Sequence, residues 1–263
     1  MVDHTQIVGI LNLTPDSFSD GGKAADSKIA LARIDAMVEA GASVIDIGAE
    51  STRPGATPLR AEEEWARLET VLPLVCSDTR TYKLSIDTRH PETARQALAL
   101  GVDWINDVSG LENPEMLEVV KDADCQLVFM HHLGIPADRN VVLQGTNPVE
   151  DIMGWATQRM EQIAAHGIST DRLIFDPGIG FGKTVEQTFR LLQHIQAFKL
   201  LGLPLMVGHS RKSFFSLVSS RPAAERDPET AALSFYLAQQ GVDFLRVHDV
   251  AGSVAAVKLA EAL

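Results

Sequence analysis

The chain has 263 residues, 45% of them hydrophobic but only 6% aromatic, and a formal net charge of −12. That length suits one large α/β domain of about 250 residues or two small ones, with an aliphatic core. The acidic balance argues against a nucleic-acid surface, which needs basic excess, and no apolar run approaches the ~20 residues that cross a bilayer.

Taken in order, a polar start, Met1 to Gln6, leads directly into a strand at Ile7–Leu13. Neither a signal peptide nor a preceding domain is expected. The first helix shows its apolar stripe at Ala30, Ile34, Met37 and Val38, at helical spacing. From there one unit recurs: a helical pattern reaches a glycine, and a short apolar strand follows. Gly41, Gly101, Gly167, Gly202 and Gly241 each stand at such a junction, where glycine relieves the left-handed cap conformation. Further strands are predicted at Val44–Ile47, Lys83–Ile86, Trp104–Ile105, Gln126–Met130, Leu173–Phe175, Leu205–Val207 and Phe244–Val247. Eight strands alternating with helices, with no composition break, predict a single-domain (β/α)8 barrel over residues 1–263. Gly134–Asn147 reads as a long loop within that barrel. Cys76 and Cys125 are far apart and lack metal-ligand spacing, which fits a reducing cytoplasm and no disulfide or zinc site.

Polar residues follow the strands one after another. They are Asn12 with TPDSFSDGG, AESTRPGA, Asp87 with Thr88 and Arg89, Asn106 with Asp107, His131 with His132, Asp176, the run His209–Lys212, and Arg246 with His248. In a barrel the carboxyl ends of strands form one rim, and enzymes of this architecture carry their sites there. Asp107-Val108-Ser109 can equally serve as a turn into the next helix. The most informative stretch is Leu173–Thr184, LIFDPGIGFGKT, a buried strand that delivers Asp176 into a glycine-rich turn. It is neither a P-loop, because Pro177 stands where the first glycine is needed, nor a dinucleotide fingerprint, because Lys183 replaces the third glycine.

The rim holds two chemical characters. Asp87, Asn106 and Asp176 suit a flat heterocycle with several N–H donors and carbonyl acceptors, and Lys212 can donate to it or stack on it. Arg53, Arg246, His248, Thr52 and Ser51 suit phosphate oxygens, and Asn12, beside Asp16, can touch a hydrated Mg2+ held mainly by phosphate. An ion pair of Arg246 or His248 with Asp249 or Asp107 is the structural alternative. The loops Thr14–Gly22 and Ser51–Ala56 have the character of substrate covers, with Phe18, Pro54 and Phe181 as an apolar wall, the structural alternative being that the phenylalanines tuck into the barrel mouth.

The motifs NLTPDSFSDGG, GAESTRPGA, SIDT, NDVSG, DPGIGFGKT, GHSRKSF and RVHDV occur in this order across nearly the whole chain. Together they closely resemble the dihydropteroate synthase family. The resemblance implies a barrel enzyme, a transferase of folate synthesis, that joins 6-hydroxymethyl-7,8-dihydropterin pyrophosphate to p-aminobenzoate, with Mg2+ as cofactor and sulfonamides as competitors. By that likeness the pterin lies against Asp87, Asn106, Asp176 and Lys212. Thr52, Arg246 and His248 hold the pyrophosphate, with Asn12 on Mg2+ and Arg53 nearby. The amine enters between Phe181, Lys212, Ser213 and the two loops with Phe18 and Pro54. Asp87, Asp176, Lys212, Arg246 and His248 then carry the chemistry. A homodimer through late helices, including Pro228–Gln240, is implied as well. The chain departs from the family at Met130–Pro136, where His132 replaces a methionine as a structural substitute and no Met-Gln follows, and at Ala49, where glycine is usual. Two rivals remain: a methyltetrahydrofolate-binding methyltransferase barrel, which has no use for Asn12 and Arg53, and a pterin-binding paralogue without catalysis.

Overall fold

All eight expected strands form in the computed structural model, which describes residues 4–14, 23–53, 55–76, 79–138 and 140–263. They are β1 Gln6–Asn12, β2 Val44–Gly48, β3 Lys83–Asp87, β4 Trp104–Asp107, β5 Gln126–Met130, β6 Leu173–Asp176, β7 Met206–Val207 and β8 Phe244–Val247. Every pairing is parallel, in the order β6-β5-β4-β3-β2-β1-β8-β7. A single bridge, Phe175 to Leu205, joins β6 to β7 and closes the barrel. The helices are α1 Lys23–Glu39, α2 Ala61–Leu68, α3 Leu72–Val75, α4 Pro91–Ala99, α5 Pro114–Val120, α6 Pro148–Ala165, α7 Val185–Gln193, α8 Asp227–Gln239 and α9 Val250–Ala262. Between β5 and α6 no regular element forms among the described residues, as the long-loop reading expects.

The junction glycines behave as the sequence pattern requires. Gly41, Gly101, Gly167, Gly202 and Gly241 all have positive φ, between 71° and 105°, so each reverses the chain from helix into strand without a Cβ clash. Of the first helix's stripe, Ala30 and Ile34 are fully buried, and Met37 and Val38 pack partly buried against the same core.

Alternation along the strands sorts side chains into two environments. Residues of one parity, such as Ile45, Ile47, Leu84, Ile86, Leu127, Phe129, Leu173 and Leu245, belong to the large core shared with the helices. Residues of the other parity face the barrel axis. Val8, Val44, Trp104, Val128, Ile174, Met206 and Phe244 form a separate apolar cluster. Trp104 and Phe244 come from strands four apart around the barrel and meet edge to face, with centroids 4.9 Å apart. The lower barrel is therefore a solid plug.

The strands run slightly further than expected at the carboxyl end. Asp87, Asp107 and Asp176 are themselves the last strand residues, and Asp87 pairs with Asn106 and Asp176 with Met130. A polar side chain does not break a ladder whose bonds are made by backbone. The rim acids are thereby held by strand geometry and not by loops. Truncating the plug tests this layering: Phe244→Ala should cost about 3–5 kcal/mol in urea unfolding, because the plug is rigidly framed and cannot collapse into the space left.

Candidate active site

Directly above the plug the axis-facing residues turn polar. Asp46 is fully buried. Its Oδ1 accepts from Ser85 Oγ at 2.6 Å, and its Oδ2 from Asn106 Nδ2 at 3.1 Å and from Arg246 Nε at 2.6 Å. Arg246 Nη2 donates to Asp87 Oδ2 at 2.7 Å. Four strands thus meet in one network, β2, β3, β4 and β8. Arg246 pairs with Asp46 and Asp87, not with Asp249 or Asp107. Asp249 instead caps α9, accepting from Gly252 N. Asp46 is the residue that sequence reading passed over, since it sits inside the strand Val44–Gly48. Its signal was a lone charge at an axis-facing position, two residues from Val44, in an otherwise apolar run.

Asp176 closes the ring from β6. It is buried, and its Oδ1 accepts from Gly178 N at 2.7 Å. Gly208 lies between it and Arg246: a Cβ there would be 3.7 Å from Asp176 Oδ2 and 3.9 Å from Arg246 Cβ. Asp176 and Arg246 therefore share one mouth. The turn after Asp176 needs its glycine. Gly178 has φ +66°, and a Cβ on it would lie 1.8 Å from the His131 carbonyl oxygen. Beneath that turn Lys183 is buried, with Nζ 2.7 Å from His131 Nδ1 and 3.0 Å from His131 O. Thr184 caps α7 in a reciprocal pair with Gln187, which fixes the far end of the turn. Lys212 Nζ donates to the Ile179 carbonyl and sits 4.8 Å from the Phe181 ring centroid, a cation–π distance. Ser213 follows it, exposed at the start of a short 3-10 turn.

The side of the mouth where the sequence predicts anion recognition is built from loops. Thr52 is half-buried and Arg53 exposed. The Thr52 carbonyl accepts from Ala137 N at 3.4 Å. His248 Nδ1 lies 3.0 Å from Ser210 Oγ, which also accepts from His248 N at 3.2 Å. Asn12 ends β1 opposite Gly48 and is half-buried. Asp16, Phe18 and Pro54 lie outside the described residues. His132 is structural, as its replacement of a methionine suggested: its Nε2 faces the Ser109 carbonyl and its Nδ1 accepts from Gly134 N. Asp107 makes the expected turn, accepting from Ser109 N at 2.7 Å and Ser109 Oγ at 2.5 Å.

Burial dominates the electrostatics. It raises the Asp87 carboxyl to about 7, against the pull of Arg246 and with help from Asp46, Glu64 and Asp107. Burial also raises Asp176, although Lys212, the Gly178 amide, Lys183 and Arg246 favour its charge. Lys212 is lowered by burial to about 8. Burial opposes the Arg246 charge, but Asp46 and Asp87 outweigh it and hold the guanidinium more firmly protonated. His248 is pushed down to about 3 by burial and by Arg211, Arg246 and Arg53. It is therefore neutral at the mouth, a hydrogen-bonding group and not the positive group that the sequence allowed.

A hard divalent ion needs several oxygen ligands. At the mouth the described residues offer Asn12 as a neutral oxygen. The clustered set Glu50, Glu64 and His90 lies behind the β2 loop, among residues of α2 and the α4 cap, where Arg89 already neutralises Glu50. Beside Asn12 such an ion would need further oxygens from a ligand.

A family model for pterin binding enzymes matches residues 8–248. The chain is 44% identical over 262 residues to a Halobacterium salinarum protein named "Probable bifunctional folylpolyglutamate synthase/dihydropteroate synthase", covering 99% of this chain and 32% of that protein. The chain spans between 30% and 57% of the length of the first curated relatives it matches. A dihydropteroate synthase from Anaplasma phagocytophilum, solved with bound 6-hydroxymethylpterin-monophosphate, superposes with a TM-score of 0.89 at 42% identity, covering 98% of each chain. One from Xanthomonas albilineans, solved with 4-aminobenzoic acid, gives 0.91 at 37% identity, covering 99% of this chain and 93% of that one.

Asp107 offers a test of the burial effect away from the ligand groups. Its Oδ2 is buried without a hydrogen-bond partner, and burial raises its carboxyl to about 6. A carboxyl raised above its unfolded value contributes stability that is full below the unfolded pKa and is lost as pH rises through the folded one. Asn cannot ionise, so the stability of Asp107→Asn relative to wild type should rise by about 1 kcal/mol between about pH 5 and pH 8. Urea unfolding of both proteins at the two pH values measures it.

Proposed function

The chain belongs to the dihydropteroate synthase family of pterin-binding enzymes, and from that premise we propose that it condenses 6-hydroxymethyl-7,8-dihydropterin pyrophosphate with p-aminobenzoate to give 7,8-dihydropteroate and pyrophosphate. One observation carries the reading. Asp87, Asn106, Asp176 and Arg246 converge on a single barrel mouth, with Lys212 over Phe181 on one side and His248 on the other. Acids and an amide are what an amino-substituted ring with N–H donors requires. Donors and cations beside them are what its diphosphate requires.

In the reaction the bond from the pterin methylene to the diphosphate oxygen breaks, and its electron pair leaves with the diphosphate. The amine lone pair then forms the new C–N bond, and the amine proton is released. Asp87 and Asp176 stand where they offset the positive charge left on the pterin methylene. Arg246, neutral His248 and the Thr52 hydroxyl receive the departing anion, with Arg53 nearby. Lys212 joins the two subsites, since its ammonium lies over the Phe181 ring that would back the amine. Mg2+, carried on the diphosphate and touched by Asn12, would supply further neutralisation of the leaving group. Sulfonamides would compete in the amine subsite. The same reading includes a cytoplasmic enzyme and a homodimer through α8 and α9, with Leu259 exposed on α9.

Pyrophosphate release with both substrates and Mg2+ tests the activity. Turnover is expected, and pterin binding without turnover would select a non-catalytic binder instead. Within an active enzyme, Asp176→Ala should raise the KM for the pterin by about 100-fold, through loss of a buried charge-assisted contact. Phe181→Ala should raise the KM for p-aminobenzoate by about 10-fold. Substrate titrations with the two effects exchanged would overturn the assignment of subsites.

A further inference from the structure

We propose that Asp46 is the positioning residue of the pterin subsite, fixing the orientation of the Asn106 amide and the aim of the Arg246 guanidinium from beneath the ligand. The proposal rests on the pterin reading of this mouth. Asp46 cannot itself meet a ligand there. It is fully buried, and both its oxygens face protein donors: Ser85 on one, Asn106 and Arg246 on the other.

What it can do follows from its having acceptors only. An ionised carboxylate takes hydrogen bonds and gives none. Asn106 must therefore turn its NH2 toward Asp46, as the 3.1 Å contact shows. The amide carbonyl is then left for other donors, and a ring N–H is the matching group. Without Asp46 the amide could present either end, because its oxygen and nitrogen have nearly the same shape. The same carboxylate takes the Nε of Arg246, while Asp87 takes Nη2. Two acids on separate strands thereby hold the guanidinium plane in one orientation. Ser85 locks the arrangement from the third side at 2.6 Å. Asp46 also sets the charge felt by Asp87. The charged groups acting on Asp87 are Arg246 from β8, Asp46 from β2, Glu64 from α2 and Asp107 from β4. Asp46 works in the direction opposite to Arg246.

The experiment compares wild type with Asp46→Asn under the pyrophosphate-release assay, titrating each substrate in turn. Asn at this position removes one negative charge and leaves one acceptor oxygen where the carboxylate has two, so either Ser85 or the pair Asn106 and Arg246 faces an NH2. The KM for the pterin substrate should rise about 30-fold, while the KM for p-aminobenzoate changes less than about 3-fold. A second readout separates positioning from general weakening. With one like charge gone, the pH at which pterin affinity fails on the acid side should move down by about one unit, because Asp87 then ionises more readily. Wild-type turnover with unchanged pterin KM and unchanged pH limb in the variant would overturn the proposal and leave the function standing. Equal losses for both substrates would overturn it as well. A wild type that binds no pterin would remove both. If Asp46→Asn does not fold, Ser85→Ala removes one of the donors holding Asp46 without changing charge. It should give the same pterin-selective rise, about 3-fold to 5-fold, and no rise would refute the proposal.

Discussion

The site depends on one guanidinium held between two carboxylates inside the barrel. Taking charges out of water is costly, and a lone buried acid resolves that cost by taking up a proton. Arg246 offers one positive charge to Asp46 and Asp87 together. Burial raises the Asp87 carboxyl to about 7; Arg246 opposes that rise, and the neighbouring Asp46 charge adds to it. The mouth therefore has a standing demand for hydrogen-bond donors. A ring bearing an amino group and N–H groups meets it, whereas an acidic ligand on that side meets repulsion.

On the other side of Arg246 the balance reverses. Burial, with Arg211, Arg246 and Arg53 around it, keeps His248 neutral. A diphosphate entering there relieves cation repulsion and gains donors. On the proposed reading, the two halves of the substrate would be sorted by charge before any specific contact forms. Lys212 stands on the ring side, where it favours the Asp176 charge and reaches over Phe181.

Much of this was legible in the sequence, for a physical reason. Barrel strands are short and apolar and end in polar rims, so Asp87, Asn106, Asp176 and Arg246 announced themselves by position. The stop glycines, such as Gly101 and Gly241, marked each junction because positive φ is hard for other residues to adopt. What stayed hidden were contacts made across the barrel. Asp46 lies inside a strand, and nothing local tells that its partners are 39, 60 and 200 residues away. Lys183, which the sequence excluded from a dinucleotide fingerprint without giving it a role, is a buried donor to His131 that supports the turn carrying Asp176. The charge of His248 was likewise open in the sequence, since it is set by groups brought together only on folding.

The loops carry the same logic one step outward. Glu50 opens the β2 loop and Leu59 nearly closes it, and the Leu59 amide donates to the Glu50 carboxylate at 2.8 Å. The same carboxylate takes both Nε and Nη2 of Arg89, each at 2.8 Å. Burial works against its charge, yet bonds from His90, Arg89 and Leu59 bring its pKa down to about 2. The base of the loop bearing Thr52 and Arg53 is consequently clamped to the segment that begins two residues after Asp87. Ala137 N on the Thr52 carbonyl and Leu143 N on the Gly182 carbonyl tie the long β5 loop to both neighbours. The groups facing the anion and the acid facing the ring are therefore mounted on one connected frame. Their spacing is set by β3 and not by the freedom of an isolated loop, and the proposed substrate, whose two halves are joined by a single methylene, would need that fixed separation.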